Sequence, residues 1–83
     1  MNKVFVELIV PVMEQKYDVY LPVNKKVLDI IILLNKAINE MTEGYFPINN
    51  KLSLIDAETG VAYNTKMTLK DCKILNGTTV VLA

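Results

Sequence analysis

Between Thr68 and Ala83 the chain runs from a threonine through one turn's worth of residues to an Asn-Gly pair, then into Thr78-Thr79-Val80-Val81-Leu82-Ala83. The spacing predicts a single helical turn capped by Thr68, with Leu69 and Ile74 pointing inward as an apolar plug. Asp71 is placed to accept from nearby backbone N–H groups. Gly77 supplies the turn, and the β-branched run reads as a closing strand. A plug of this kind needs a sheet above it and a core beneath, so the rest of the chain must provide both.

The preceding residues read as the parts of that core. Val4, Val6, Leu8 and Val10 alternate with Lys3, Phe5, Glu7 and Ile9, a period of two that predicts a strand over Lys3 to Val10 with one buried face. Pro11 ends it, and Glu14 to Leu21 alternates again, so the two form an antiparallel hairpin. After Pro22, Asn24 is a candidate N-cap for a helix from Lys25 to about Met41. Val27, Ile31, Leu34, Ile38 and Met41 form its core stripe, Lys26, Asp29, Lys36 and Glu40 lie away from it, and Gly44 marks its end. Ile30, Ile32 and Leu33 widen the apolar arc and are assigned to the core beneath the long loops. Lys51 to Asp56 and the shorter Val61 to Asn64 read as strands around the turn Asp56-Ala57-Glu58-Thr59-Gly60. The expected fold is α+β: a mixed sheet of four or five strands packed on one helix, in a single domain over residues 1–83.

Composition removes several classes of function. Nine lysines balance nine acids, and arginine and histidine are absent, so the chain lacks the basic stripe and bidentate donors of a nucleic-acid binder. The apolar run Ile30 to Leu34 is far short of the ~20 residues that span a bilayer. Glu7 and Pro11 interrupt the stretch after Lys3, so no signal peptide is expected there. A single cysteine without histidine leaves no common zinc site and no four-cysteine iron–sulfur site. The glycines form no phosphate-binding motif, and the acids are scattered singly. No cofactor, metal or catalytic residue is expected, and Cys72 reads as a packing residue.

The segment Thr68-Leu69-x-Asp71-x-x-Ile74 matches the T-L-x-D-x-x-I pattern of ubiquitin, and the whole chain resembles the ubiquitin superfamily, whose fold is the β-grasp. Within it the chain is most similar to the YukD family, through its length and the L-x-D-C-x-I-x-N-G run from Leu69 to Gly77. The resemblance implies a small ubiquitin-like protein of the type VII (WXG100 substrate) secretion machinery of Gram-positive bacteria. Conjugation in this superfamily requires a terminal Gly-Gly, whereas the last strand here stops at Ala83. The expectation is therefore a non-conjugated module.

What remains are surfaces. Strand alternation places Phe5, Ile9, Ile55, Val81 and Ala83 on the sheet face opposite the helix, the face that carries the main partner-binding patch in ubiquitin. Several apolar positions on adjacent strands form a candidate protein-binding patch. Tyr45, Phe46, Pro47 and Ile48 form a second candidate, a docking loop whose simpler reading is a lid over the helix end. The expected function is non-covalent protein binding in the cytoplasm as an accessory of type VII secretion, as a monomer or weak homodimer. The alternative is a β-grasp adaptor or regulator outside secretion.

Overall fold

The computed structural model describes residues 2–83. Strand β1 (Lys3–Val10) passes through a 3₁₀ turn (Pro11–Met13) into β2 (Gln15–Pro22), followed by helix α1 (Val27–Met41), β3 (Leu54–Asp56) and β4 (Thr78–Leu82). The four strands form one sheet in the order β2-β1-β4-β3. β1 pairs antiparallel with β2 and parallel with β4, and β3 runs antiparallel to β4. This is the expected β-grasp order with a mixed four-stranded sheet.

Alternation explains the layers. Val4, Val6, Leu8 and Val10 of β1 and Val80 and Leu82 of β4 are buried, together with Leu54 of β3. They meet Val27, Ile30, Ile31, Leu34 and Ile38 of α1 in one core, closed by Leu69 and Ile74. Each such side chain contributes about 1.5–3 kcal/mol by leaving water.

The helix departs from expectation at both ends. Its N-cap is Lys26 rather than Asn24, and no side chain caps it. Instead the Val27 N–H donates to the Met67 carbonyl at 2.8 Å and the Leu28 N–H to the Thr65 carbonyl at 3.1 Å. A distant loop thus supplies the acceptors that a cap residue would otherwise provide. At the other end Gly44 donates to the Asn39 carbonyl and Glu43 to the Glu40 carbonyl. That pattern is a Schellman ending, and its left-handed residue is Glu43, at φ 53°. The turn after Thr68 closes in the same way: Ile74 donates to Leu69 and Lys73 to Lys70, with Lys73 left-handed at φ 58°.

Other expectations are corrected. Met41, Ile32 and Leu33 are exposed rather than core; the side chains by which α1 meets the core are Val27, Ile30, Ile31, Leu34 and Ile38. Asp71 is exposed and does not accept; its own N–H donates to Thr68 Oγ1 at 3.0 Å. The third strand is shorter than Lys51 to Asp56, although Ser53 and Ala83 still exchange backbone hydrogen bonds of 2.7 and 3.1 Å. Val61 to Asn64 contributes one bridge, Ile55 to Ala62, rather than a strand, flanked by the Asp56 N–H donating to the Val61 carbonyl and the Tyr63 N–H to the Leu54 carbonyl.

Candidate functional site

The outer face of the sheet is ordered in rows by strand register. Ile9 stands opposite Val81, and Val81 opposite Ile55, so three β-branched side chains cross β1, β4 and β3 as one ridge. Lys16 of β2 faces Ile9 and extends the row to the sheet edge. All three apolar members are partly exposed, and among the described residues no element lies over them. Ala83, two residues beyond Val81, is on the same side next to Ser53.

Phe5 belongs to a different row. Glu7 lies between Phe5 and Ile9 on the same face, opposite Asp18 on one side and Thr79 on the other. Thr79 Oγ1 donates to Glu7 Oε1 at 3.4 Å. The five residues of the sequence-based patch therefore share a face without making one apolar surface. Phe5 packs instead against Tyr20, ring centroids 5.3 Å apart, and Tyr20 is 66% exposed. The face thus reads as apolar ridge, polar row, aromatic pair.

Alternation alone missed Tyr20 as a neighbour of Phe5. The signal lies in the hairpin register, which depends on the 3₁₀ turn. Glu14 closes that turn by donating to the Pro11 carbonyl at 2.9 Å, from a left-handed φ of 51°. Few non-glycine residues adopt this conformation, so the pairing of Phe5 with Tyr20 could not be read from residue types.

The loop over residues 45–48 divides between the two readings. Phe46 is 3% exposed and plugs the core, so it is unavailable for docking. Tyr45, Pro47 and Ile48 are exposed. The loop is held by two helix side chains. Buried Asn35 donates through Nδ2 to the Pro47 carbonyl at 3.1 Å and accepts the Asn49 N–H at 2.8 Å. Asn39 Nδ2 donates to the Phe46 carbonyl at 2.8 Å. Between α1 and this loop lies a mainly apolar groove of about 520 Å³, lined in part by Leu28, Ile31, Ile32, Ile48 and Leu52.

Chemistry has little to work with. Cys72 is half-buried, and its thiol pKa is raised, first by burial and then by the Asp71 carboxylate. A thiol held protonated in this way is a poor nucleophile. Tyr63 nearby is raised too, by burial first, then by Asp56, Cys72 and Glu58. Among the described residues no cluster of three or more histidine, cysteine or acidic side chains is placed to hold a metal ion. No helix among them is long and apolar enough to cross a membrane.

No protein-family model matches the chain, and the curated proteins contain no match. Solved structures do match. The ubiquitin-like domain of the Mycobacterium tuberculosis type VII secretion system protein EccD1 aligns with a TM-score of 0.77 at 14% identity, covering 100% of this chain and 99% of that one. The EccD5 ubiquitin-like domain from Mycobacterium xenopi aligns at TM-score 0.80 and 17% identity, covering 100% and 94%. A chain of the MycP5-free ESX-5 inner membrane complex aligns at TM-score 0.82 and 17% identity; all of this chain is covered, but only 21% of that larger one. At these identities the likeness is one of fold. The chain has the ubiquitin-like β-grasp fold.

Proposed function

We propose that this chain is a protein-binding module of a type VII secretion system, similar to the YukD family of Gram-positive bacteria, that works in the cytoplasm by non-covalent contact. The observation that carries the binding role is the ridge Ile9–Val81–Ile55, in register across three strands on the uncovered face. Branched apolar side chains on a rigid sheet lose little entropy on docking, which favours a recognition surface. Glu7 and Lys16 flank the ridge with charge, giving the polar rim of a small interface. The link to secretion is supported by end-to-end likeness to ubiquitin-like domains of EccD proteins. The Cys72 thiol, its pKa raised by burial and then by Asp71, favours binding over thiol chemistry.

Photocrosslinking tests this reading. A photoreactive residue at position 9, in a cell that produces the secretion machinery, is expected to capture a protein of that machinery. Capture from position 48 and not from position 9 would move the site to the helix groove. Capture of a partner unrelated to secretion would leave the module an adaptor elsewhere.

A further inference from the structure

Strand β2 is one edge of the sheet, and its free side has a definite pattern. The Gly77 N–H donates to the Phe5 carbonyl at 2.8 Å, and the Phe5 N–H donates to Asn76 Oδ1 at 2.8 Å. The backbone of Phe5 therefore points to the β4 side of β1, away from β2. In an antiparallel ladder its register partner, Tyr20, must then turn its own N–H and C=O away from β1. Asp18 and Lys16, partners of Glu7 and Ile9, do the same by alternation. All three are exposed, and nothing among the described residues pairs with this edge, an open template for another strand.

The charges on that edge select what the strand is. When two copies of β2 meet antiparallel, only residues with outward backbone groups can form the hydrogen-bonded rungs. Alignment on Asp18 sets Asp18 against its own copy, and alignment on Lys16 sets lysine against lysine. A rung between Lys16 and Pro22 loses a donor, because proline has no N–H. Alignment about Tyr17 avoids all of these. It sets Lys16 opposite the partner's Asp18, and by symmetry Asp18 opposite the partner's Lys16, in two rungs that exchange both backbone bonds. Tyr17, half-buried on the helix side, then meets the partner's Tyr17 in the close, non-hydrogen-bonded position at the axis.

We propose that this chain forms a two-fold dimer by joining β2 to β2 of a second copy about Tyr17, with the register chosen by the Lys16–Asp18 charge pairs. The axis stands perpendicular to the sheet, so the two four-stranded sheets become one and both outer ridges face the same side. A dimer built this way presents two binding faces at fixed spacing, and it forms whether or not those faces bind a partner. The interface is small, so the association is weak and concentration-dependent.

Sedimentation equilibrium of the purified chain, up to about 1 mM, gives the reading. The wild type is expected to approach twice the monomer mass as concentration rises. Lys16→Asp and Asp18→Lys each create two like-charge rungs and should each raise the dissociation constant about tenfold or more. An equimolar mixture of the two variants should dimerise again, since every rung then joins opposite charges; recovery also shows that both variants are folded. The double variant Lys16→Asp/Asp18→Lys should behave as the wild type. A wild type that stays monomeric at the top concentration overturns the proposal. So does a dimer that survives both single reversals, or variants whose mixture fails to recover.

Discussion

Ile9 and Val81 stand opposite one another across the parallel β1–β4 pair, both on the sheet face that turns away from the helix. One residue earlier on each strand, Leu8 and Val80 are also partners, and both are buried beneath the helix. The two faces are thus separated by a single step along either strand.

That step separates stability from binding. Val80 is 0% exposed, so Val80→Asp places an unpaired carboxylate in the core at a cost of about 3–5 kcal/mol. Thermal unfolding should move down sharply or the chain should not fold. Val81→Asp should leave circular dichroism unchanged and the melting temperature within a few degrees.

Asn35 should matter more to stability than any other polar side chain of α1. It is the buried polar residue that fixes residues 47 and 49. Asn35→Leu removes the hydrogen bonds to the Pro47 carbonyl and from the Asn49 N–H, at about 1–3 kcal/mol for the two together. The drop in melting temperature is about 4–8 °C per kcal/mol for a domain of this size. Amide exchange should quicken across the 46–49 loop while β1 stays protected.

Glu43→Gly should stabilise. Glu43 is exposed, holds the left-handed position of the helix ending, and makes no side-chain hydrogen bond there. Glycine adopts this φ without strain, a gain partly offset by its greater freedom when unfolded, which leaves a net of up to about 1 kcal/mol. A rise of a few degrees in melting temperature is the expected result. An unchanged or lower value would mean that the Glu43 side chain stabilises the ending in some other way.

Alkaline pH should weaken the fold through Cys72 and Tyr63. Burial raises both pKa values in the folded state, so the native chain holds these protons more tightly than the unfolded one. Their contribution is complete below the unfolded pKa and is lost as pH rises through the folded pKa. Denaturant midpoints should therefore fall above the ordinary thiol range. Cys72→Ser should flatten the earlier part of that fall, and Tyr63→Phe the later part. Cys72→Ser should also leave partner capture unchanged.

How far the fold could be read in advance depended on the range of each signal. The alternation of β1, the α1 stripe from Val27 to Ile38 and the Leu69–Ile74 plug are local patterns, and these hold; the stripe fails only at its last member, Met41. Asn24 failed as a cap because the acceptors come from Thr65 and Met67, some forty residues away in sequence. Ile32, Leu33 and Met41 are apolar residues on a helix, and composition cannot show that they are left exposed. Period alone places the ridge residues on their face. Their division from Phe5 required the cross-strand register of Glu7 with Thr79. Asn35 carries no sequence signal, since an asparagine in a helix is usually solvated.

The proposed function gives the Ile9–Val81–Ile55 ridge a role in secretion through protein binding. Export of a WXG100 substrate, measured in a strain deleted for this chain and complemented with Val81→Asp, tests it most directly. Circular dichroism first confirms that the variant is folded. Export should be lost in the deletion strain, recover with the wild type, and recover little or not at all with Val81→Asp at equal abundance. Full export with the folded Val81→Asp protein would contradict the role of the ridge, and undiminished export in the deletion strain would contradict the role in secretion.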